Sequence, residues 1–319
     1  MSFRQFIYYC SLCGACAAYV GWITGRLVSF DDSVPLAAFR GLLIGLYVAM
    51  ILSLIDALWN LSSPLKLELV SRLGVSVCVG AIGGFLGGGI GQILYRRFQM
   101  PFFLVLGWTA TGLLIGASVS VFELLRQTMR DEDLGGARRK LLNGILGGTA
   151  GGLLGGMSFL LLQSLWAGIL RSNPDDLWSP GATGFVVLGL CIGLMIGLAQ
   201  VILREAWIRV EAGFRPGRQL ILLKPETTIG RAEGCDIALF GDAGVEKLHA
   251  RILRTEGMFV LEDAGSATGT YVNGQRIDKS RALRSGDEIR LGSSVLRFGE
   301  REKRGDAIRA AGIGSTVGQ

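Results

Sequence analysis

Two groups of residues in this sequence have side chains that could do chemistry. Cys10, Cys13 and Cys16 follow the spacing Cys-x-x-Cys-x-x-Cys, which could supply thiolate ligands to zinc or to an iron–sulfur cluster. On a helix, however, each step of three residues turns by about 300°, so the thiols drift around one side. The only histidine of the chain is far away in the sequence, and no fourth ligand accompanies the cysteines. We therefore predict small packing residues and no metal site.

His249 is the second candidate, because histidine is the commonest general base. A hydrolase built on His249 would also need a Ser or Cys nucleophile and an acid that orients the ring. The sequence supplies neither in the required context. We therefore predict that the protein is not an enzyme and has no cofactor. His249 must then have another role, which depends on the elements around it.

The residues around His249 follow the pattern of short β-strands. Apolar and polar residues alternate in short runs that recur about every 8 to 12 residues, with Gly, Asn or Asp between them. Asn273-Gly274 is the strongest hairpin signal, because a type I′ turn needs two positive φ angles and this pair supplies them. The pattern predicts an all-β sandwich over residues 218–299.

Four motif blocks in this region, taken in order, resemble a forkhead-associated (FHA) domain. The blocks are Thr228 to Arg231, Cys235 to Leu239, His249 to Ile252 and Gly269 to Gly274. The resemblance covers the last quarter of the chain. It implies a β-sandwich that binds phosphothreonine through the loops at one end.

The resemblance also implies which residues meet the phosphate. The Arg of the family's Gly-Arg pair corresponds to Arg231, and a guanidinium suits a dianion. A Ser three residues before the His binds phosphate in the family, but that position is Glu246 here, whose carboxylate would repel phosphate. Two interpretations follow: Arg231 forms an ion pair with Glu246, or it binds phosphate with Lys247 as the replacement charge.

The rest of the predicted binding face lies in the last motif block and just before it. There the family's Thr and Asn are replaced by Ala267 and Thr268. The remaining predicted ligand contacts are Ser266, Thr268 and Asn273. Supports for the loops are expected at Gly230, His249, Gly269 and Gly274. Thr128, followed by Met129-Arg130-Asp131, resembles the Thr-x-x-Asp form that many FHA domains prefer and is a candidate ligand within the chain.

The first two thirds of the chain have the composition of a membrane protein. Half of the whole sequence is apolar, 48 residues are Gly, and only 18% are charged. Six apolar segments exceed the ~20 residues that a helix needs to cross a bilayer. They are Phe6–Val28, Val34–Leu58, Leu69–Tyr95, Pro101–Leu125, Leu141–Leu170 and Gly181–Leu203.

The basic residues predict the orientation of these six spans. With the N-terminus in the cytoplasm, ten Lys and Arg residues fall on the inner side and four, Arg26, Arg96, Arg97 and Arg171, on the outer side. We therefore expect a multi-pass protein of a bacterial inner membrane with its C-terminal domain in the cytoplasm. The predicted divisions are a membrane domain over residues 1–204, a linker over 205–217, the FHA-like sandwich over 218–299 and a disordered tail over 300–319.

The membrane segments contain an internal repeat. Gly41 to Gly45 returns as Gly112 to Gly116 and as Gly189 to Gly193, which predicts three two-helix repeats. The third and fifth segments carry glycines at every fourth residue on two neighbouring faces, as in a glycine zipper, and such faces let helix backbones approach closely. We expect the three odd-numbered helices at the centre and the even-numbered helices around them.

Two functions are compatible with these features. The first is a signalling adaptor that presents a degenerate FHA module to a cytoplasmic or membrane-proximal protein, with or without a phosphothreonine in that partner. The second is a channel or transporter that its FHA domain regulates. The segments show no charge in mid-membrane, which favours the adaptor. The net charge of +6 does not indicate nucleic acid, because the basic residues fall mostly in short loops and on strands that also carry acids, so membrane lipid is the only other partner expected.

Overall fold

The computed structural model of the chain describes residues 3–28, 32–60, 66–129, 134–169, 179–222, 224–255 and 258–301. The chain divides into two compact units, Met1–Leu203 and Arg204–Gln319. The first unit is helical and the second consists of β-strands.

Over the described ranges, the first unit contains six helices. They are α1 (Phe3–Thr24), α2 (Ser33–Asn60), α3 (Lys66–Phe98), α4 (Phe102–Met129), α5 (Gly135–Ile169) and α6 (Pro180–Ile202). Each contains a stretch long and apolar enough to cross a membrane. The predicted class, six long apolar helices followed by a β-sandwich, is confirmed.

The helices form a ring in which each contacts its neighbours in sequence and α6 contacts α1. The even-numbered helices also contact one another. Their most apolar stretches are 50%, 56% and 50% buried, against 44%, 33% and 39% for α1, α3 and α5. The prediction that the odd-numbered helices lie at the centre is therefore wrong. A glycine face shows that a helix packs closely, but it does not say on which side of the bundle the helix lies.

The repeated glycines form the closest helix contacts. At each of them an added side-chain carbon would overlap backbone of the facing helix. The contacts join Gly41 and Gly45 of α2 to Gly84 and Gly80 of α3, Gly112 and Gly116 of α4 to Gly148 and Gly144 of α5, and Gly189 and Gly193 of α6 to Gly14 and Cys10 of α1. Each even-numbered helix thus packs on an odd-numbered neighbour in the same way, and this close approach of the backbones gains dispersion contacts.

The branched residue inside each repeated segment is completely buried. Ile44, Ile115 and Ile192 occupy equivalent positions in α2, α4 and α6, and each is 0% exposed. The residues one turn later in each helix are equally inaccessible. Because these three helices contact one another, apolar side chains fill the middle of the ring.

In the described part of the second unit, eleven strands form two sheets. The first sheet has the order β2-β1-β11-β10-β7-β8 and the second has the order β4-β3-β5-β6-β9. The strands are β1 (Ala206–Ala212), β2 (Gln219–Ile221), β3 (Glu226–Gly230), β4 (Ile237–Ala238), β5 (Ala250–Thr255), β6 (Met258–Asp263), β7 (Thr270–Val272), β8 (Gln275–Arg276), β9 (Ser280–Ala282), β10 (Glu288–Leu291) and β11 (Ser294–Glu300). Phe259 and Phe298 meet in the core with ring centroids 5.6 Å apart.

The stretch 205–217 is not the linker that we predicted. It contains β1, which lies between β2 and β11, with Ile208 opposite both Leu220 and Phe298. Ala206, Ile208 and Val210 alternate with more exposed residues and are buried in the core. The predicted tail also begins too early, because Glu300 ends β11; its residues 302–319 lie outside the described residues.

Candidate functional site

Three loops of the sandwich converge on one another. They are residues 231–236 after β3, residues 239–249 between β4 and β5, and residues 264–269 between β6 and β7. The Arg231 N–H donates to the Glu246 carbonyl at 2.9 Å, and the Ala232 N–H donates to the Lys247 carbonyl at 3.2 Å. The Thr268 hydroxyl donates to the Gly244 carbonyl at 2.7 Å. Main-chain and side-chain bonds therefore hold the three loops together.

Three charged residues lie side by side where the first two loops join. Arg231, Glu246 and Lys247 are all exposed. Within the described residues none of the three takes part in an ion pair, so the predicted Arg231–Glu246 pair does not form. The two residues are joined through their backbones, and an exposed pair would have added little stability.

Position 230 must be a glycine, because its backbone packs directly beneath the backbone of Lys247. An added side-chain carbon at Gly230 would overlap the Lys247 carbonyl oxygen and would lie 3.0 Å from the Cys235 sulfur. The buried Cys235 thiol donates to the same carbonyl at 3.1 Å. Burial raises the pKa of the Cys235 thiol, so it stays protonated and keeps this bond. The backbone of Lys247 is therefore fixed from below.

His249 is completely buried between two of the loops. Its Nδ1 accepts the Glu246 N–H at 3.1 Å, so the ring proton is on Nε2, which faces the Gly269 carbonyl at 3.4 Å. The His249 N–H also donates to the Ile229 carbonyl at 2.8 Å. Both ring nitrogens are thus occupied by the backbone of the loops, as the predicted supporting role requires.

Asp263 organises the third loop, and the sequence analysis missed it. Its carboxylate accepts the Ser266 and Thr270 hydroxyls, both at 2.6 Å, and the N–H groups of Gly265 and Ser266. Partial burial would raise the pKa of Asp263, but these bonds outweigh burial and hold the pKa below its ordinary value. Ser266 is buried with its hydroxyl directed to Asp263, so it supports the loop and does not face a ligand.

Asp242 fixes the second loop to the β10–β11 hairpin. It accepts the Ser293 and Ser294 hydroxyls at 2.8 and 2.7 Å, and the N–H groups of Ser293 and Gly244 at 2.9 and 3.0 Å. Desolvation opposes ionisation, but these bonds outweigh it and lower the pKa of Asp242. The loop that carries Glu246 and Lys247 is therefore held at both of its ends.

Asn273 and Gly274 form the predicted hairpin turn, with φ angles of 53° and 77°. The Asn273 amide donates to Asp287 at 2.8 Å, and its oxygen accepts the Glu288 N–H at 2.9 Å. Asn273 lies at the opposite end of β7 from Thr270, away from the three loops, so the prediction that it contacts the ligand is wrong. Gly269 is a second position that favours glycine, because its φ is 77° and a side chain would meet the Arg276 guanidinium.

A second cluster of charges lies inside the helical unit. Asp56 of α2 is 1% exposed and forms ion pairs with Arg72 of α3 and Lys140 of α5, the latter at 2.7 Å. Lys140 is 3% exposed and also contacts Glu123 of α4 at 3.3 Å. These residues belong to four different helices and are far apart in the sequence. The structure brings them together, so the argument from missing buried charges no longer favours the adaptor.

The FHA domain profile matches residues 227–292. The chain is 34% identical over 124 residues to the glycogen accumulation regulator GarA of Mycolicibacterium smegmatis, and the match covers 39% of this chain and 73% of that protein. It is 41% identical over 89 residues to the oxoglutarate dehydrogenase inhibitor of Corynebacterium diphtheriae, covering 28% of this chain and 61% of the inhibitor.

Solved structures of FHA domains resemble about a third of the chain. The FhaA FHA domain, solved in complex with the intracellular domain of Rv3910, is 30% identical with a TM-score of 0.27, and the match covers 30% of this chain and 99% of that one. A domain from a study of phosphothreonine-dependent FHA interactions is 28% identical with a TM-score of 0.29, covering 31% of this chain and 99% of that one. The chain belongs to the FHA-domain proteins, and its FHA domain is the C-terminal sandwich.

Proposed function

We propose that the protein is a membrane-anchored adaptor whose FHA domain binds a phosphothreonine-bearing protein on the cytoplasmic side of a bacterial inner membrane. The observation that carries this proposal is that the side chains of Arg231 and Lys247 are both exposed and form no ion pair within the described residues. These cationic side chains are carried by two loops that main-chain hydrogen bonds join. Such an arrangement suits a phosphate dianion.

The phosphate site differs from that of the family in its donors. The family's Ser is replaced by Glu246, and the neighbouring Lys247 supplies a positive charge in place of the Ser hydroxyl. The Thr268 hydroxyl donates to the Gly244 carbonyl, and this hydrogen bond holds the third loop against the second. Binding therefore depends more on the two cations than on neutral donors, and the affinity should fall with added salt.

The six apolar helices supply the proposed anchor. Their length and composition fit a bilayer, and the bias of Lys and Arg toward one side supports a cytoplasmic FHA domain. Only three residues separate the end of α6 at Ile202 from the start of β1 at Ala206. A tether of that length would keep the domain close to the membrane, which favours membrane-proximal partners.

The ligand is proposed to be a separate protein. Thr128, the candidate within the chain, is the penultimate residue of α4, and its hydroxyl donates to the Leu124 carbonyl at 2.8 Å. It is thus part of a helix instead of a free loop. The residues that follow it in the Thr-x-x-Asp match, 130 and 131, lie outside the described residues.

Affinity capture with the full-length chain in detergent tests this proposal. Lysate of the source bacterium is divided, and one half is treated with phosphatase. We expect at least one protein to bind the wild type from the untreated half only, and to be lost with Arg231→Ala. Capture that is unaffected by phosphatase and by Arg231→Ala would contradict the proposal.

The buried charge cluster favours a second candidate function, a transporter regulated by the FHA domain. Charged groups inside a membrane domain are costly and often mark a substrate or ion path. Two serine hydroxyls on the same helix faces, Ser53 before Asp56 and Ser120 before Glu123, are 0% exposed and have no hydrogen-bond partner in the described residues. The apolar layers at the centre of the ring oppose an open pore. Ion flux into proteoliposomes that contain the wild type, and not into protein-free liposomes, would establish the transporter in place of a passive anchor.

A further inference from the structure

The position of Glu246 next to two free cations bears on which phosphopeptides the FHA domain selects. The Glu246 carbonyl accepts the Arg231 N–H at 2.9 Å, and Lys247 is its neighbour in sequence. Because the backbones of the three residues are joined or adjacent and all three side chains are exposed, a phosphate that meets both cations is within reach of the Glu246 carboxylate. That carboxylate is exposed and has no cation within ion-pair distance in the described part of the chain.

The backbones of Glu246 and Lys247 are fixed relative to each other. The His249 ring holds the Glu246 N–H, Gly230 and Cys235 pack beneath Lys247, and Asp242 ties the loop to the β10–β11 hairpin. The ligand must consequently satisfy a negative and two positive groups in one small area. A phosphate alone satisfies only the positive groups and is repelled by the carboxylate.

We infer that the site selects a phosphothreonine with a Lys or Arg close to it in sequence. This inference rests on the proposed phosphothreonine binding. In an extended peptide each residue advances about 3.3 Å, so a basic residue one or two positions from the phosphothreonine lies within about 7 Å of it along the chain. Its cationic group can then reach the carboxylate of Glu246 while the phosphate contacts Arg231 and Lys247. Acidic flanking residues would meet the same carboxylate and be rejected.

The inference can be tested by calorimetric titration of the full-length chain in neutral detergent micelles. The probes are synthetic phosphothreonine peptides of one parent sequence, with Lys, Ala or Glu at each of the two positions before and after the phosphothreonine, and their unphosphorylated counterparts. We expect the best Lys peptide to bind the wild type roughly three- to tenfold more tightly than its Glu counterpart at low salt, which is the size expected of exposed charge pairs.

Reversing the charge at position 246 should reverse the preference. Glu246→Lys should favour the Glu peptides, and Glu246→Gln should discriminate weakly between the two sets. Neither change removes the N–H that binds His249, so the loop should keep its structure. Glu226→Gln is the matched control, because it changes net charge equally but lies at the other end of β3, about 13 Å from Gly230. It should leave the preference unchanged.

The outcomes separate this inference from the function on which it rests. If phosphopeptides bind but Lys and Glu peptides have equal affinity, or if Glu246→Lys leaves the preference as it was, the inference is wrong and phosphothreonine binding stands. If no phosphopeptide binds better than its unphosphorylated counterpart, both fail.

Discussion

Replacement of Asp56 by Asn is the perturbation that best tests how the helical unit is held together. Asp56 is nearly inaccessible, and one of its oxygens accepts from both Arg72 and Lys140. Asn has almost the same shape, so it removes the negative charge with little change in packing. Arg72 and Lys140, which are 13% and 3% exposed, then lose the carboxylate they share, and Lys140 retains its 3.3 Å contact with Glu123.

The expected loss can be estimated from the burial of the cluster. Two unit charges at 4 Å attract by about 4 kcal/mol at an effective dielectric of 20. Removing one partner of a buried pair costs about 3–5 kcal/mol, because the other charge stays buried. Asp32→Asn is the matched control: Asp32 pairs with Arg96 at 2.5 Å, but both side chains are about half exposed, and such pairs contribute about 0–1 kcal/mol.

The measurement is a titration of both variants and the wild type with a denaturing detergent in the same micelles, followed by tryptophan fluorescence. We expect Asp56→Asn to lower the free energy of unfolding by at least about 2 kcal/mol more than Asp32→Asn does. Equal losses for the two variants would refute the conclusion that the buried cluster stabilises the bundle.

Three further predictions concern single side chains. Gly84→Leu should prevent normal packing of α3, because a side chain there overlaps the Gly41 carbonyl, whereas Gly74→Leu, where nothing lies within 4 Å, should be tolerated; thermal unfolding in detergent compares them, and equal stability would mean that Gly84 faces lipid. Asp263→Asn should reduce the acid sensitivity of the FHA unit. The lowered pKa of Asp263 stabilises the fold fully above the unfolded pKa of about 3.9, and this contribution is lost as the pH falls from there through the folded pKa. The free energies of unfolding of wild type and variant should therefore differ most above about pH 4 and converge only below the folded pKa of Asp263. His249→Ala should lower the stability of the FHA unit by about 1–3 kcal/mol in chemical denaturation, because it leaves the Glu246 N–H and the buried Gly269 carbonyl without their partner. An unchanged midpoint would show that His249 does not support the loops.

The parts of the fold that depend on local sequence patterns could be predicted. Long apolar runs located the six helices, and the Asn273-Gly274 pair located a hairpin because its two positive φ angles are a local requirement. The family motifs located the loops that carry Arg231 and Lys247. Strand β1 was missed although Ala206, Ile208 and Val210 alternate correctly, because it precedes the first family motif and follows directly on the long apolar helix α6.

The features that were missed depend on contacts between distant segments. Asp56, Glu123 and Lys140 each stand near the end of a different helix, and only the ring arrangement brings them together. The role of Asp242 depends on the β10–β11 hairpin, about 50 residues away in sequence. Asp263 did give a local signal, since Asp followed by Gly and Ser two and three residues later is typical of a turn in which the carboxylate accepts N–H groups.

The free cations of the FHA loops are the centre of this account, and their affinity for phosphothreonine is its most direct test. The dissociation constants of one phosphothreonine peptide with a flanking Lys and of its unphosphorylated form should be measured by calorimetry for the full-length wild type and for Arg231→Ala. We predict that the wild type prefers the phosphorylated peptide by at least about tenfold, and that Arg231→Ala abolishes this preference. Equal affinity of the wild type for both peptides, or a preference that persists in Arg231→Ala, would contradict the account.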